Sequence, residues 1–322
     1  MDRFGRRFPY LRLSLTDVCN FKCSYCLPNG YQKTACDSFM SIVEIGRLVR
    51  AFAGLGVGKI RLTGGEPTIR DDFLEIARVV ANTPGICRVA FTTNGYKLPE
   101  RARDFFAAGL RAVNISIDSL RPSRFKLITG HDRFNEVLNG ITACDEAGFE
   151  TIKVNTVLLK GLNEEELDDF IDFVVDRAIT LRFIELMRTQ DNAAYFKQHH
   201  LSGERVIERL LARGWRERPR AFDAGPAREF EHADSLGTIG LIAPYAPDFC
   251  ATCNRLRVSA KGALHLCLFG EGGTSLRDLL QHDDQLEALQ TRIKNLMQFK
   301  KSSHFLQEGN SGATPHLASI GG

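Results

Sequence analysis

Residues 11–26 read LRLSLTDVCNFKCSYC. Leu11 to Leu15 is a short β-rich run, and Cys19, Cys23 and Cys26 follow it on a loop in a CxxxCxxC spacing. The run is the first of six. Others lie at Lys59 to Leu62, Arg88 to Thr93, Ala112 to Ile117, Thr151 to Leu158 and Thr180 to Leu186. Between them fall helical patterns near residues 41–54, 71–82, 99–108, 132–147 and 163–177, with Ser41, Asp71 and Asn163 placed as N-caps. Strands and helices alternating at this interval predict a parallel sheet with helices outside. Six units are fewer than the eight that close a barrel, so the expectation is an open partial barrel with its chemistry at the C-terminal ends of the strands.

After residue 200 the rhythm changes. One helix, Ser202 to Arg213, precedes short β-like pieces at Gly214 to Phe222, Gly237 to Ile242, Arg255 to Ser259 and Ala263 to Leu266, which read as a smaller second layer. A helical pattern from Ser275 to Phe299 follows, then a polar tail ending Ile320-Gly321-Gly322. The expected division is a barrel over 1–200, a C-terminal layer over 201–300 and a flexible tail over 301–322.

With 322 residues, 43% hydrophobic and 25% charged, disorder, collagen and coiled coil are excluded. Lys plus Arg is 42 against 39 Asp plus Glu, so a net charge of +3 supplies no general basic field for nucleic acid, and any anion must be bound locally. No apolar run approaches the roughly 18 residues of a membrane span, and Met1 to Arg12 carries charges without an apolar core after them. The expected location is cytoplasmic, with neither membrane nor nucleic acid as partner.

Six of the nine cysteines fall into two triplets, Cys19/Cys23/Cys26 and Cys250/Cys253/Cys267, which argues against a disulfide framework. Cys36, Cys87 and Cys144 stand alone and are expected to pack as small apolar groups. Three thiolates on one loop can hold three corners of an iron–sulfur cluster and leave one iron open, whereas structural zinc takes four protein ligands and no His lies near the first triplet. The second triplet leaves an alternative: His265, two residues before Cys267, could complete a Cys3His zinc site, although alternation on a strand does not let the two converge tetrahedrally. Beside that triplet stands Asn254-Arg255-Leu256-Arg257, whose alternation puts Arg255 and Arg257 on one face, suited to a polyphosphate. Arg12 lies on the first strand. The histidines show no metal spacing, and His199-His200 reads as a surface pair.

The CxxxCxxC with an aromatic before its last Cys, followed by Gly64-Gly65-Glu66-Pro67 directly after the second strand, resembles the radical S-adenosylmethionine superfamily. Within it the chain is similar over nearly its whole length to the GTP 3′,8-cyclase family of molybdenum cofactor biosynthesis. The matching stretches are LRLSLTDVCNFKCSYCLP, IRLTGGEP, FTTNG, NISIDSL, KVNTVLLKGLN, RFIELM, CATCNRLR to LCLFG, and the terminal Gly-Gly.

The resemblance implies an α/β fold, an incomplete (β/α)6 barrel whose C-terminal α+β layer holds a second iron–sulfur cluster. Carried over, two [4Fe–4S] clusters sit on Cys19, Cys23 and Cys26 and on Cys250, Cys253 and Cys267. S-adenosylmethionine meets Tyr25, Gly65, Ser116 and Met187, with Glu66 near its amino group. GTP meets Arg61, Thr92 and Lys153, while Arg12 and the Arg255-Leu256-Arg257 strip hold its charged groups and the reaction intermediate. The open iron of the second cluster binds the guanine edge; a 5′-deoxyadenosyl radical takes hydrogen from C3′, and the carbon radical adds to C8, giving (8S)-3′,8-cyclo-7,8-dihydroguanosine 5′-triphosphate. Gly321 and Gly322 thread into the active site and take part in catalysis. Implied partners are a second copy of the chain, an electron donor and a downstream cyclic pyranopterin monophosphate synthase. Two other readings fit parts of the pattern: a radical S-adenosylmethionine enzyme acting on a peptide or another nucleotide, and a zinc-stabilised binding module.

Overall fold

Six parallel strands, β1 (Tyr10–Ser14), β2 (Lys59–Thr63), β3 (Arg88–Thr93), β4 (Leu110–Ser116), β5 (Thr151–Leu158) and β6 (Thr180–Glu185), lie side by side in chain order. The structure is a computed structural model that describes residues 1–32, 38–219, 225–247, 249–309 and 311–321. Helices α1 (Ile42–Gly54), α2 (Phe73–Ala81), α3 (Leu98–Ala107), α4 (Pro122–Thr129), α5 (Phe134–Glu146) and α6 (Leu167–Phe173) cross between the strands. The apolar set Leu11, Leu13, Ile60, Leu62, Phe91 and Val113 is buried in the main core with Leu48, Phe52 and Phe105 from the helices. Each such side chain contributes about 1.5–3 kcal/mol when fully buried. Alternation then sends the other side chains, such as Lys153 and Asn155, to the inner face of the curved sheet.

The segment after residue 200 joins this same sheet at both edges. After α7 (Ala193–His199) and α8 (Glu204–Ala212), β7 (Arg216–Glu217), β8 (Arg228–Glu231) and β9 (Thr238–Ile242) extend it beyond β6, with β9 parallel to β6. At the opposite edge β10 (Arg255–Val258) runs parallel to β1, followed by β11 (Ala263–His265) and β12 (Thr274–Ser275). Among the described residues no helix is long and apolar enough to cross a membrane.

Local signals and tertiary contacts compete at several boundaries. Ser41 caps α1 as expected, in a capping box with Glu44: Ser41 N–H donates to Glu44 Oε2 (2.8 Å) and Glu44 N–H to Ser41 Oγ (3.3 Å). Asp71 does not cap α2; Asp72 takes that position, and its carboxylate is gripped by Arg70 at 2.6 and 2.8 Å instead of capping. Asn163 accepts from Leu159 N–H (2.8 Å) and donates to the carbonyls of Asp118 and Val157, so 163–177 shortens to a 3₁₀ turn and α6. Within the 275–299 pattern the α-helix is confined to α9 (Leu286–Met297), preceded by short 3₁₀ turns at Arg277–Leu279 and Asp283–Gln285. Arg277 is drawn to Glu44 at 2.8 Å, which wraps the first half of that segment around the start of α1. The Gly214 to Phe222 piece is a strand only at Arg216–Glu217, and residues 220–224 lie outside the described residues.

Gly64 and Gly65 run beside the residues leading into the first cysteine triplet. Gly65 N–H donates to Thr16 O and Glu66 N–H to Val18 O, both at 2.8 Å. A Cβ on Gly65 would lie 2.3 Å from Val18 O, and Gly64 sits at φ 148° with the same clearance from Thr16 O. The close approach therefore requires glycine. Gly65→Ala is expected to destabilise the chain by about 1–3 kcal/mol and to displace the Cys19 loop, read as a lower melting temperature together with reduced iron uptake. An unchanged melt would show that the backbone relaxes at no cost.

Candidate active site

The strand register converts the alternation into a charged grid. β10 against β1 pairs Arg255 with Tyr10 and Arg257 with Arg12; β1 against β2 pairs Tyr10 with Lys59 and Arg12 with Arg61. Two rows result, Arg255–Tyr10–Lys59 and Arg257–Arg12–Arg61, on strands about 4.7–4.9 Å apart. All six residues line one cavity of about 580 Å³. Arg61 Nε donates to Tyr10 Oη at 2.5 Å, and the charges of Lys59 and Arg255 lie 5.2 and 5.7 Å from the centre of the same ring. Thr92, Asn114, Ser116, Lys153, Asn155 and Arg182 complete the wall from β3 to β6.

These cations weaken one another. Burial and Arg257 push the basicity of Arg12 far down; burial and Arg255 bring Arg257 to about 10. Burial and Arg182 lower Lys153 to about 7. Burial would raise the Tyr10 phenol, yet Arg61, Arg12 and Arg255 hold it down to about 6. Thr92 Oγ1, Asn114 Oδ1, Asn155 Oδ1 and Arg182 Nε are buried with no hydrogen-bond partner among the described residues. A polyanion with hydrogen-bonding groups answers both features.

Both cysteine triplets line this cavity. A turn aligns two of the first set, with Cys26 N–H and Leu27 N–H both donating to Cys23 O at 3.0 Å. Burial, with Glu66, pushes the Cys19 thiol to about 12; burial raises Cys23 and brings Cys26 to about 11. Thiolates gathered in such a place need a cation to replace the proton, which fits a metal cluster. Among the described residues no three His, Cys, Asp or Glu side chains close on one point as the ligands of a single ion do; each triplet opens on the cavity wall. His265 does not lie on that wall. Its ring packs on Gly273, where a Cβ would meet Nε2 at 2.4 Å, and the Cys3His alternative thereby loses its fourth ligand.

Tyr25, Gly65, Ser116, Met187, Arg12, Arg61, Thr92, Lys153, Arg255 and Arg257 are all brought to the cavity. Glu66 and Leu256 are not. Glu66 is fully buried and accepts from Thr68 N–H and Oγ1, Thr93 Oγ1 and Asn94 N–H, so its carboxylate clamps the glycine turn to the end of β3. The Leu256 side chain points into the core, leaving only its backbone for a ligand. Gly321 O accepts from Arg12 Nε (2.8 Å) and Arg257 (2.7 Å); Gly322 lies outside the described residues. Of the solitary cysteines, Cys144 is buried as expected, Cys87 is exposed at the cavity rim instead of packed, and Cys36 lies outside the described residues. His200 is half-buried, and its Nε2 meets buried Glu185 at 2.7 Å.

Residues that the sequence reading missed include Tyr10, two before Arg12 on the same strand, and Asp118 in NISIDSL. Asp118 accepts from Tyr25 Oη (2.9 Å) and Val157 N–H (2.8 Å), and burial pushes it up to about 6. A carboxyl raised in the folded state costs stability above that value, and the cost fades as pH falls toward its unfolded value near 3.8. Asp118→Asn is therefore expected to melt higher than the parent at pH 8, with the difference shrinking between pH 6 and 4. A difference independent of pH in thermal unfolding would contradict the assignment.

Residues 13–174 match the model of the Radical SAM superfamily and residues 179–306 that of Molybdenum Cofactor Synthesis C. A GTP 3′,8-cyclase of Stenotrophomonas maltophilia (strain R551-3) is 59% identical over 321 residues, covering 100% of this chain and 98% of that relative. One of Aeromonas hydrophila subsp. hydrophila is 55% identical over 326 residues, covering 100% and 95%. The fold is similar to Streptococcus suis SuiB bound to S-adenosylmethionine (TM-score 0.62, 14% identity, 89% of this chain and 68% of that one). It is also similar to native anSMEcpe with bound AdoMet (TM-score 0.55, 16% identity, 86% and 80%).

Proposed function

The chain belongs to the GTP 3′,8-cyclase family of the radical S-adenosylmethionine superfamily, and from that premise we propose how its residues convert GTP to (8S)-3′,8-cyclo-7,8-dihydroguanosine 5′-triphosphate in the first step of molybdenum cofactor biosynthesis. The observation that carries the reading is the shared cavity: two cysteine triplets and a two-row cation grid face the same space. Cys19, Cys23 and Cys26 would hold one [4Fe–4S] cluster, and Cys250, Cys253 and Cys267 a second. When bound, the first supplies the electron that splits the sulfonium of S-adenosylmethionine, and the second an open iron for the guanine edge.

The protein's own part is placement. Gly65, Tyr25, Ser116 and Met187 surround S-adenosylmethionine, with Asp118 fixing the Tyr25 ring through its hydroxyl. Arg12, Arg61, Arg255, Arg257 and Lys153 neutralise the triphosphate, and Thr92 Oγ1, which has no partner among the described residues, gains one. Met187, Leu268 and Phe269 give the cavity an apolar side that excludes water from a reactive carbon centre. Gly321 sits where the arginines meet and takes part in the step around substrate binding or catalysis. A homodimer, an electron donor and a downstream cyclic pyranopterin monophosphate synthase complete the proposal.

The first test is anaerobic: reconstituted protein with S-adenosylmethionine and dithionite should form 5′-deoxyadenosine strongly only with GTP, which is itself consumed. Equal formation with ATP or no nucleotide would assign a different substrate, a peptide among them. Arg257→Ala should retain iron and uncoupled cleavage but lose GTP conversion on the order of 100-fold, as expected for a charged hydrogen bond removed. GTP affinity should also fall as pH rises through about 7, because binding favours the Lys153 ammonium and must then take up a proton. Calorimetric titration of Lys153→Arg should show a flatter profile; an identical one would place the titrating group elsewhere.

A further inference from the structure

Lys300 is 3% exposed, yet no Asp or Glu among the described residues forms an ion pair with it, whereas its neighbour Lys301 has Glu271 at 2.6 Å. The Lys300 ammonium reaches the carbonyl of Leu266 and stands 5.4 Å from the centre of the Phe8 ring. Those are neutral groups. A buried ammonium without a counter-charge costs several kcal/mol, so its partner must be sought in the cavity it lines. The carbonyl it reaches belongs to the residue before Cys267, so Lys300 stands beside the second triplet, all three of whose cysteines line that same cavity.

The same segment addresses a second cysteine. After α9 the chain turns back through Lys300 N–H to Met297 O, and then passes Cys250, which receives the His304 N–H and the Ser303 side chain as hydrogen-bonding neighbours. The segment is pinned from the N-terminus. Arg6, paired with Asp2 at 2.7 Å, donates to Lys301 O (2.6 Å), Ser302 O (3.1 Å) and Cys250 O (3.3 Å). The His304 ring lies 5.7 and 5.4 Å from Phe249 and Phe269, with Nδ1 accepting from Leu306 N–H. These contacts fix the backbone that carries Lys300 and Ser303.

We propose that Lys300 to His304 form a cradle for the anionic iron–sulfur cluster on Cys250, Cys253 and Cys267, with Lys300 as its buried counter-cation, and that this cradle raises the cluster's reduction potential. The inference rests on the second-cluster reading given under the proposed function. Reduction adds one negative charge to the cluster, and a nearby fixed cation and sulfur-directed donors favour the more negative state. Lys300 and Ser303 act as positioning residues through the metal group and touch no substrate.

The full-length chain with Cys19, Cys23 and Cys26 all changed to Ala, reconstituted with iron and sulfide, leaves only the second triplet to bind metal. In a redox titration followed by electron paramagnetic resonance, Lys300→Met should cut the reduced-to-oxidised ratio about tenfold at fixed potential, equivalent to about 59 mV for one electron. Ser303→Ala should shift it less in the same direction, and Lys300→Arg should restore the parent ratio, all at parent iron content. Unchanged ratios in Lys300→Met and Ser303→Ala at full iron content would overturn the proposal. Should Lys300→Met lose iron, Ser303→Ala decides, and its unchanged ratio is equally fatal. A parent triple variant that binds no iron overturns the second-cluster reading itself, an outcome that metal analysis separates from the others.

Discussion

Everything in the cavity depends on holding like charges together on the inner face of a sheet. Parallel pairing of β10, β1 and β2 leaves no choice about who neighbours whom: once Leu11 and Leu13 enter the core, Tyr10 and Arg12 face inward, and register brings Arg255, Arg257, Lys59 and Arg61 beside them. The hydrophobic side of these strands supplies the stability that the charged side consumes. Residues of the core such as Leu11, Ile60 and Leu256 are fully or almost fully buried on the same three strands that carry the cations. Folding energy from one face thus maintains a cationic field on the other.

The two cysteine triplets follow from the same topology. Cys19 to Cys26 leave β1, and Cys250 and Cys253 enter β10, so two segments far apart in the chain meet because their strands are adjacent. The close run of Gly64 and Gly65 beside Thr16 to Val18 then sets the height of the first loop. Glu66 secures that run from behind with four accepted hydrogen bonds, a role for which a buried carboxylate suits better than a ligand in the open.

Much of this is legible in the residues themselves. β1 to β6 stand out as β-rich runs, CxxxCxxC needs no structure to suggest a cluster, and alternation alone puts Arg255 and Arg257 on one face. What escapes is whatever depends on which side chains actually pair, near or far in the chain. Asp71 looks like a cap until Arg70 engages Asp72, and Ser275 to Phe299 looks like one helix until Arg277 finds Glu44. Tyr10 is an ordinary strand aromatic until register surrounds it with arginines; Lys300 is an ordinary tail lysine until Arg6 pins the segment that carries it. Glu66 and Leu256 show the converse: a motif places them in a site, and local bonding or strand parity turns their side chains away.

Gly321 shows how the chain itself makes use of such a field. Gly321 offers a carbonyl oxygen to both Arg12 and Arg257, and its Cα lies so close to β2 that a Cβ would meet the Thr63 methyl at 2.1 Å. A carbonyl carries only a partial negative charge, yet it satisfies N–H donors of both guanidiniums. Each guanidinium has five donors, more than one carbonyl can occupy. The Gly321 carbonyl therefore holds the two arginines in a common orientation. Glycine at φ 62° is the residue that allows the chain to reach that point. A neutral acceptor shared by two buried arginines thus fixes their side chains from within the chain.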